Sequence, residues 1–301
     1  MQTNKTDDEL QQLVEQILIS EQIPAEATLH QSLNNYYLPL ASWAAEQHQS
    51  TPLVIGINGS QGSGKTTLCK ILSALLEHSF DKKVISLSID DIYKTHAQRQ
   101  ELAESVHSLL ATRGVPGTHD VELGCFVLEQ IKERQPVDIP VFNKAIDDRL
   151  QKDDWIKIDH QVDIILFEGW CVGAIPEQES QLQTAINSLE EDEDQKRIWR
   201  TYVNHQLATD YQSLFSLIDK LVMLKIPDFN KAYQWRNLQE QKLRQTTDSD
   251  KNNKIMSGLE IERFIMHFER ITQHMLKEMP ERSDVTLNIN ADHQINELHI
   301  K

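Results

Sequence analysis

The chain has 301 residues, of which 39% are hydrophobic, so it can bury a substantial core. Length alone does not separate one large domain from two small ones. Forty-six acidic side chains against thirty basic ones give a formal charge of -16. This charge opposes non-specific attraction to nucleic acid and to anionic membranes, so we expect neither as a partner.

The cysteine content favours a reducing compartment. Cys69, Cys125 and Cys171 are too few and too scattered for a disulfide framework, and no Cys or His spacing matches a zinc site. The amino terminus lacks the layout of a secretory signal, and no apolar run approaches the length of a membrane span. We therefore expect a cytoplasmic protein, and nothing in its sequence indicates an oligomeric state.

The first 50 residues are expected to form a helical extension that precedes a main domain at residues 51–301. Apolar side chains such as Leu10, Leu13 and Ile17 recur at helical spacing, with an interruption near Pro24.

The main domain begins with a predicted strand, loop, helix and strand. An apolar run at 53–57 leads into a glycine-rich segment, and residues 65–80 carry leucine and isoleucine along one helical face. The next run, 82–91, is rich in β-branched residues and ends in two aspartates. A βαβ unit of this kind indicates a parallel sheet.

Further predicted strands lie at 162–169, 219–226 and 285–290, with helical stretches between them. This alternation predicts a three-layer α/β/α fold with a mainly parallel sheet. We expect loops or mobile segments at 187–196, which is acidic, and at 244–254, which is polar.

The glycine-rich segment fits the phosphate-binding pattern G-x-x-x-x-G-K-[ST] between a strand and a helix. Its backbone N–H groups are expected to cradle phosphate, while Lys65 reaches the β- and γ-phosphates of ATP and the Thr66 hydroxyl binds Mg²⁺. Thr67 contacts the α-phosphate or is only a helix-start residue. Alternatively, the segment is a turn without a ligand, and the pattern alone fits a GTPase, an ATPase motor or a kinase. The cradle residues are Gly59, Ser60, Gln61, Gly62, Ser63, Gly64, Lys65, Thr66 and Thr67.

Asp90 and Asp91 end the second predicted strand, beside this loop. A carboxylate there can take the proton of a hydroxyl that attacks the γ-phosphate. Neighbouring strand residues point to opposite faces, so one of the two is expected to face the reacting centre, and spacing does not say which. The alternative is that both cap a helix or are solvated in a loop.

Glu168 ends the apolar strand at 162–169. An acidic residue in this position of a phosphate-loop protein can hold Mg²⁺ or its water, although a lone glutamate after a strand is usually solvated. Glu168, Thr66 and Asp90 are the candidate metal ligands.

Residues 88–93 read SIDDIY, which resembles the S-x-D-x-F-Y segment of the uridine kinase, phosphoribulokinase and pantothenate kinase superfamily. The resemblance implies that Asp90 is the catalytic base, with Asp91 second. It implies that Tyr93 shapes the acceptor pocket or simply packs, and that Glu168 serves the metal.

Residues 113–120 read RGVPGTHD, which resembles the R-G-x-P-G-T-H-D signature of the D-glycerate 3-kinase branch of that superfamily. The resemblance covers residues from about 30 to 295. It implies transfer of the γ-phosphoryl group of ATP to a hydroxyl of D-glycerate, with 3-phosphoglycerate as the product. His119 and Asp120, within the signature, bind glycerate hydroxyls or order the loop, and the same alternatives hold for Asn204.

Basic residues beyond the signature suit a carboxylate acceptor. Lys144 and Arg149 provide positive charge there, although either can touch ATP phosphates or be an ordinary surface charge. Asn143 and Ala145 replace the Asp and Ser that often flank this lysine in the branch. This difference from the branch affects the expected identity of the acceptor more than the expected phosphoryl-transfer chemistry.

Residues 230–256 resemble the lid of such kinases. Arg236 and Arg244 are candidates for neutralising charge in the transition state, and a solvated helix face is the alternative. The lid departs from the branch at residues 254–257, where relatives carry a glycine before the methionine.

Three functions therefore remain open. The first is a D-glycerate kinase, and the second keeps the chemistry with a nucleoside, pantothenate or another hydroxy acid as acceptor. The third is a nucleotide-dependent regulatory protein, whose mark would be the loss of Asp90 or Glu168. Both residues are present, which disfavours it.

Overall fold

A central sheet dominates the computed structural model, which describes residues 3–23, 29–246 and 258–301. Its order is β2-β7-β1-β8-β9-β10, and all neighbouring strands are parallel except β9 and β10. Two small antiparallel pairs, β3 with β6 and β4 with β5, lie outside it. The strands are β1 (Leu53–Gly59), β2 (Val84–Ser88), β3 (Val137–Ile139), β4 (Phe142–Asn143), β5 (Asp148–Arg149), β6 (Ile156–Ile158), β7 (Ile164–Gly169), β8 (Lys220–Lys225), β9 (Val285–Ile289) and β10 (Ile295–Ile300).

The predicted strands are confirmed as β1, β2, β7, β8 and β9, which are the five parallel members of the sheet. The antiparallel edge strand β10 and the two small pairs were not predicted. The helices of the described residues are α1 (Thr3–Ser20), α2 (Leu29–Ser32), α3 (Leu38–Gln47), α4 (Lys65–Phe80), α5 (His96–Ser105), α6 (Val121–Lys132), α7 (Ser188–Glu193), α8 (Ile198–Ala208), α9 (Asp210–Phe215), α10 (Phe229–Thr246) and α11 (Gly258–Arg282).

Helices cover both faces of the sheet because strand side chains alternate between them. In β7, Ile164 and Leu166 pack with α1, α3 and α4, whereas Ile165 and Phe167 pack with α6, α8, α9 and α11. All four side chains are fully buried. A strand buried on both faces reads as a continuous apolar run, and the three-layer α/β/α prediction is confirmed.

The N-terminal helices pack on the same face of the sheet as α4, the helix that follows the phosphate loop. Leu10 of α1 and Leu40 of α3 are buried in the same cluster as Leu72 of α4. A π-helical turn at Leu33–Tyr37 joins α2 to α3. The predicted interruption near Pro24 lies outside the described residues, and the division into an extension and a main domain stays a prediction.

The acidic segment 187–196 is not the loop that we expected. Residues Ser188–Glu193 form α7, and Glu190 and Asp194 are both 1% exposed. Glu190 pairs with Arg270 at 2.6 Å, and Asp194 pairs with Arg200 at 3.1 Å. Paired and hydrogen-bonded charges can be buried, and here they join α7, α8 and α11.

The other expected loop, 244–254, begins inside α10, and residues 247–254 lie outside the described part of the chain. The same holds for residues 247–256 of the predicted lid. Within the described ranges, no helix combines the length and the apolar character needed to cross a bilayer.

Candidate active site

Three predicted site segments meet at one edge of the sheet. The register pairs Glu168 of β7 with Ile57 of β1 on one side and with Ser88 of β2 on the other. The carboxyl ends of parallel strands meet at one edge. The phosphate loop after β1 and Asp90 after β2 are therefore neighbours of Glu168.

The phosphate loop contains two glycines in the left-handed region, Gly62 at φ 76° and Gly64 at φ 92°. A Cβ on Gly64 would meet no described atom within 4 Å, whereas one on Gly62 would lie 3.0 Å from the Cβ of Trp235 in α10. The buried hydroxyls of Ser60 and Ser63 have no hydrogen-bond partner among the described residues. Glycine-permitted backbone, open space and unsatisfied hydroxyls fit a phosphate group.

Lys65 begins α4 and its ammonium donates to the carbonyl of Ser60 at 3.0 Å. Burial lowers the pKa of Lys65, and the carboxylates of Glu168 and Asp90 oppose that shift. The ammonium thus lies at the loop with two carboxylates near enough to favour its charged form.

Thr66 and Glu168 form an oxygen pair next to the loop. The Thr66 hydroxyl donates to Oε1 of Glu168 at 3.3 Å, and Glu168 is 9% exposed. Mg²⁺ is usually bound by one or two carboxylates together with hydroxyls, waters and substrate phosphates. The donor set therefore fits Mg²⁺. Thr67 is half-buried, and its contact with the α-phosphate stays a prediction.

Asp90 lies in a short 3₁₀ turn, Ile89–Ile92, and its N–H donates to the hydroxyl of Ser88 at 3.2 Å. Its Oδ1 accepts from the hydroxyl of Tyr93 at 2.7 Å, and its Oδ2 accepts from the ammonium of Lys144 at 2.6 Å. Burial alone would raise the pKa of Asp90, but Lys144 and Tyr93 hold it at about 2.

Asp91 has different surroundings. Its Oδ1 accepts from the backbone N–H of Phe142 at 3.4 Å. Burial raises the pKa of Asp91 to about 6, and the neighbouring charge of Asp90 acts in the same direction. Sequence spacing could not distinguish the two carboxylates, but their contacts differ. Asp90 pairs with the ammonium of Lys144, whereas Asp91 accepts from the backbone of β4.

The RGVPGTHD signature forms a tightly packed turn. Gly114 has φ 131° and Gly117 has φ 99°, and a Cβ at either position would lie 2.6 Å or less from an aromatic carbon, of Phe268 and Tyr202 respectively. The Thr118 hydroxyl accepts from the N–H of Gly114 at 3.0 Å. The packing and hydrogen bonding of the turn therefore account for the two glycines and the threonine of the signature.

His119 emerges from this turn onto the site. Its ring stacks on Tyr93 with centroids 4.5 Å apart, and its Nδ1 lies 2.5 Å from the hydroxyl of Tyr211. Burial lowers the pKa of His119 to about 3, so the ring is neutral at pH 7. Its Nε2 is buried without a hydrogen-bond partner among the described residues. Tyr211 was not among the predicted site residues, and the sequence gives no local signal for this contact.

Arg149 and Asp120 bind one another. The Arg149 guanidinium donates to the Asp120 carboxylate at 3.0 Å and to the carbonyl of Tyr93 at 2.7 Å. Asp120 also caps α6 through the N–H of Leu123. This pair supports Tyr93 and the signature turn, and acceptor binding by either residue stays a prediction.

Asn204 and Arg236 have contacts with other parts of the chain. The Asn204 amide accepts from the N–H of Glu177 at 2.8 Å and donates to the carbonyl of Glu177 at 3.0 Å. The guanidinium of Arg236 lies 5.7 Å from the ring centroid of Phe264. Their acceptor and transition-state roles stay predictions, and the side chain of Arg244 lies outside the described part of the structure.

Comparison with known proteins gives consistent matches. The family model described as "Phosphoribulokinase / Uridine kinase family" matches residues 54–221. The chain is 34% identical to an uncharacterized kinase, mug58, of Schizosaccharomyces pombe over 233 residues, which are 73% of this chain and 79% of that protein.

Two further relatives carry the name D-glycerate 3-kinase. The chloroplastic protein of Arabidopsis thaliana is 29% identical over 297 residues, which are 91% of this chain and 61% of that protein. The chain thus spans less than two thirds of its length. A solved structure from Cryptococcus neoformans has a TM-score of 0.71 at 22% identity and covers 92% of this chain and 100% of its own. At that identity the structural likeness shows the fold alone.

Proposed function

Because the chain belongs to the phosphoribulokinase/uridine kinase family, we propose that it is a kinase that transfers the γ-phosphoryl group of ATP to a hydroxyl of D-glycerate. The product is 3-phosphoglycerate. The D-glycerate 3-kinase of Arabidopsis thaliana supports this acceptor, because its match covers 91% of the chain.

The observation that carries the proposal is the contact between Asp90 and Lys144 at 2.6 Å. Asp90 is a carboxylate that can accept a hydroxyl proton. Lys144, beside it, is a cation that can pair with the carboxylate of an acceptor. Both lie at the sheet edge that carries the phosphate loop. A hydroxy acid is the acceptor class that uses both groups at once.

The other site residues have complementary roles in this proposal. Lys65 and the loop N–H groups orient the β- and γ-phosphates, while Thr66 and Glu168 hold Mg²⁺. When bound, Mg²⁺ neutralises charge on the phosphate oxygens. Asp90 takes the proton of the acceptor hydroxyl, beside the stacked rings of Tyr93 and His119.

The test is an acceptor panel. ADP release is followed with D-glycerate, L-glycerate, uridine, pantothenate and ribulose 5-phosphate, each at the same ATP and Mg²⁺ concentrations. NMR of the product then identifies the phosphorylated oxygen. We expect D-glycerate to give the highest kcat/KM, with phosphate on the C3 oxygen. A preference for uridine or pantothenate would overturn the acceptor, and no stimulation by any compound would overturn kinase activity towards the whole panel.

A further inference from the structure

We propose that Lys144 selects acceptors that carry a carboxylate, because only such an acceptor draws the Lys144 ammonium away from Asp90 and frees that base. The inference rests on the proposed kinase function. It adds the chemical class of the acceptor and the means by which a neutral alcohol is rejected.

Lys144 occupies one carboxylate oxygen of Asp90 in the structure. Its ammonium donates to Oδ2 at 2.6 Å, while the Tyr93 hydroxyl donates to Oδ1 at 2.7 Å. With both donors in place, each carboxylate oxygen of Asp90 already accepts a hydrogen bond, and Oδ2 carries the positive charge of an ammonium beside it. An acceptor hydroxyl must lie within hydrogen-bond reach of the oxygen that takes its proton, so Lys144 has to leave Oδ2 before that oxygen can serve as the base.

Of these two contacts with Asp90, the Lys144 contact is the exchangeable one. The Tyr93 ring is 4% exposed and is fixed by stacking on His119. The Lys144 side chain is 60% exposed and extends from the turn between β4 and β5. Only the lysine side of this pair is exposed, since the Asp90 side chain is 28% exposed. An incoming carboxylate can reach the ammonium from solvent, and the exchange replaces one carboxylate partner of Lys144 with another.

The backbone on either side of this turn is fixed by hydrogen bonds, whereas the Lys144 side chain is long and can rotate. The N–H of Phe142 binds Asp91, and Arg149 binds the carbonyl of Tyr93. The N–H of Ala145 donates to the side chain of Asn143 at 3.0 Å. The ammonium can therefore move between two carboxylates by rotation about side-chain bonds, without movement of the hairpin.

The chemical step follows once Lys144 holds the acceptor. The proton of the acceptor hydroxyl passes to the freed oxygen of Asp90 as the hydroxyl oxygen bonds to the γ-phosphorus. The bond between that phosphorus and the bridging oxygen breaks, and its electron pair leaves with ADP. A neutral alcohol lacks the carboxylate, so Lys144 stays on Asp90 and the proton has no good acceptor.

The experiment compares two acceptors in two enzymes. D-Glycerate and glycerol offer the same kind of hydroxyl, but glycerol has no carboxylate. In Lys144→Met we expect kcat/KM for D-glycerate to fall roughly 10- to 100-fold, the range for a lost charge-assisted hydrogen bond. Turnover of glycerol should instead rise, by roughly tenfold, because Asp90 is no longer paired. The matched control is Lys157→Met, an exposed lysine of β6, which should change neither value.

A second arm supplies the carboxylate separately. Acetate added to wild-type enzyme should stimulate phosphorylation of glycerol, and it should have no effect on Lys144→Met. The ADP release of Asp90→Asn gives the background to subtract. If Lys144→Met loses activity towards both acceptors in equal proportion, Lys144 serves the ATP phosphates and the inference is overturned. Glycerol turnover that stays at background in Lys144→Met also overturns it.

The same data separate this inference from the proposed function. If wild-type enzyme ignores D-glycerate but phosphorylates another hydroxy acid, and Lys144→Met impairs that activity while raising glycerol turnover, the acceptor proposal fails and the role of Lys144 stands. If D-glycerate is the acceptor and glycerol turnover does not rise in Lys144→Met, the function stands and the role of Lys144 fails.

Discussion

The hydroxyl of Thr66 donates to a carboxylate oxygen of Glu168 at 3.3 Å, across a sequence separation of 102 residues. The contact joins the first turn of α4 to the end of β7, so the two oxygen donors are aligned by the sheet rather than by a flexible loop. A rigid pair of this kind suits a metal ion that demands near-ideal geometry, as Mg²⁺ does.

Glu168→Gln should therefore change the dependence on Mg²⁺. We expect kcat at saturating ATP to fall roughly 100-fold, in the range seen when one electrostatic group of an active site is removed. The Mg²⁺ concentration that gives half-maximal activity should rise, and the Mg²⁺-dependent increase in melting temperature with a non-hydrolysable ATP analogue should shrink. Glu101→Gln, at an exposed position of α5, is the control. An unchanged Mg²⁺ titration would exclude Glu168 as a ligand.

Asp90→Asn should separate chemistry from nucleotide binding. The substitution keeps the shape and removes the proton acceptor, so we expect turnover with the best acceptor to fall by roughly 100- to 10,000-fold. The Kd for ATP, measured by calorimetry, should stay within about threefold. Asp91→Asn is the matched variant, because the two carboxylates are adjacent, and it should retain most turnover. If the loss is larger in Asp91→Asn, Asp91 is the base.

Asp91→Asn should also stabilise the protein at neutral pH. Burial raises the pKa of Asp91 to about 6 from an ordinary value of 3.8, so ionising it costs folding free energy as pH rises between these values. At about 1.4 kcal/mol per pKa unit the cost approaches about 3 kcal/mol above pH 6, and it vanishes below the unfolded-state pKa. Asparagine keeps an oxygen for the N–H of Phe142. Urea unfolding at several pH values should show the variant more stable at pH 8 and equal to wild type near pH 4.

The sequence predicted the parts of the site that depend on strand order. Phosphate-loop, aspartate and glutamate segments each end an apolar strand, and in a parallel sheet such ends meet at one edge. The order of strands in the sheet is enough to predict this meeting, without knowledge of side-chain direction. In the structure, the carboxylates of Asp90 and Glu168 both lie near enough to Lys65 to favour its charged form.

The contacts that the sequence did not predict depend on how distant segments return to the sheet. Lys144 reaches Asp90 across 54 residues through a small hairpin that has little local signal. Glu190 looked solvated because its neighbours are acidic, yet its partner, Arg270, lies 80 residues away on α11. Local charge density predicts exposure only when no distant cation is folded against the segment.

The hydroxyl of Tyr211 makes two contacts with the signature turn that the sequence did not predict. It accepts from the N–H of Gly117 at 3.0 Å and lies 2.5 Å from Nδ1 of His119. The pKa of Tyr211 is raised well above its usual range by burial, so the hydroxyl keeps its proton. The N–H of Gly117 already donates to this oxygen, so we expect the hydroxyl proton to be donated to Nδ1 of His119. This arrangement predicts that the imidazole proton lies on Nε2.

Tyr211→Phe should destabilise the protein and change this tautomer. The variant leaves the N–H of Gly117 and Nδ1 of His119 buried without their partner, which costs about 1–3 kcal/mol of unfolding free energy. Tyr202→Phe removes a hydroxyl that makes no hydrogen bond within the described residues, and should change stability by less than about 0.5 kcal/mol. The ¹⁵N shifts of His119 should report a protonated Nε2 in wild type and a mixture of tautomers in Tyr211→Phe. A wild-type spectrum with the proton on Nδ1 would contradict the assignment, because the Tyr211 hydroxyl would then accept from the imidazole instead of donating to it.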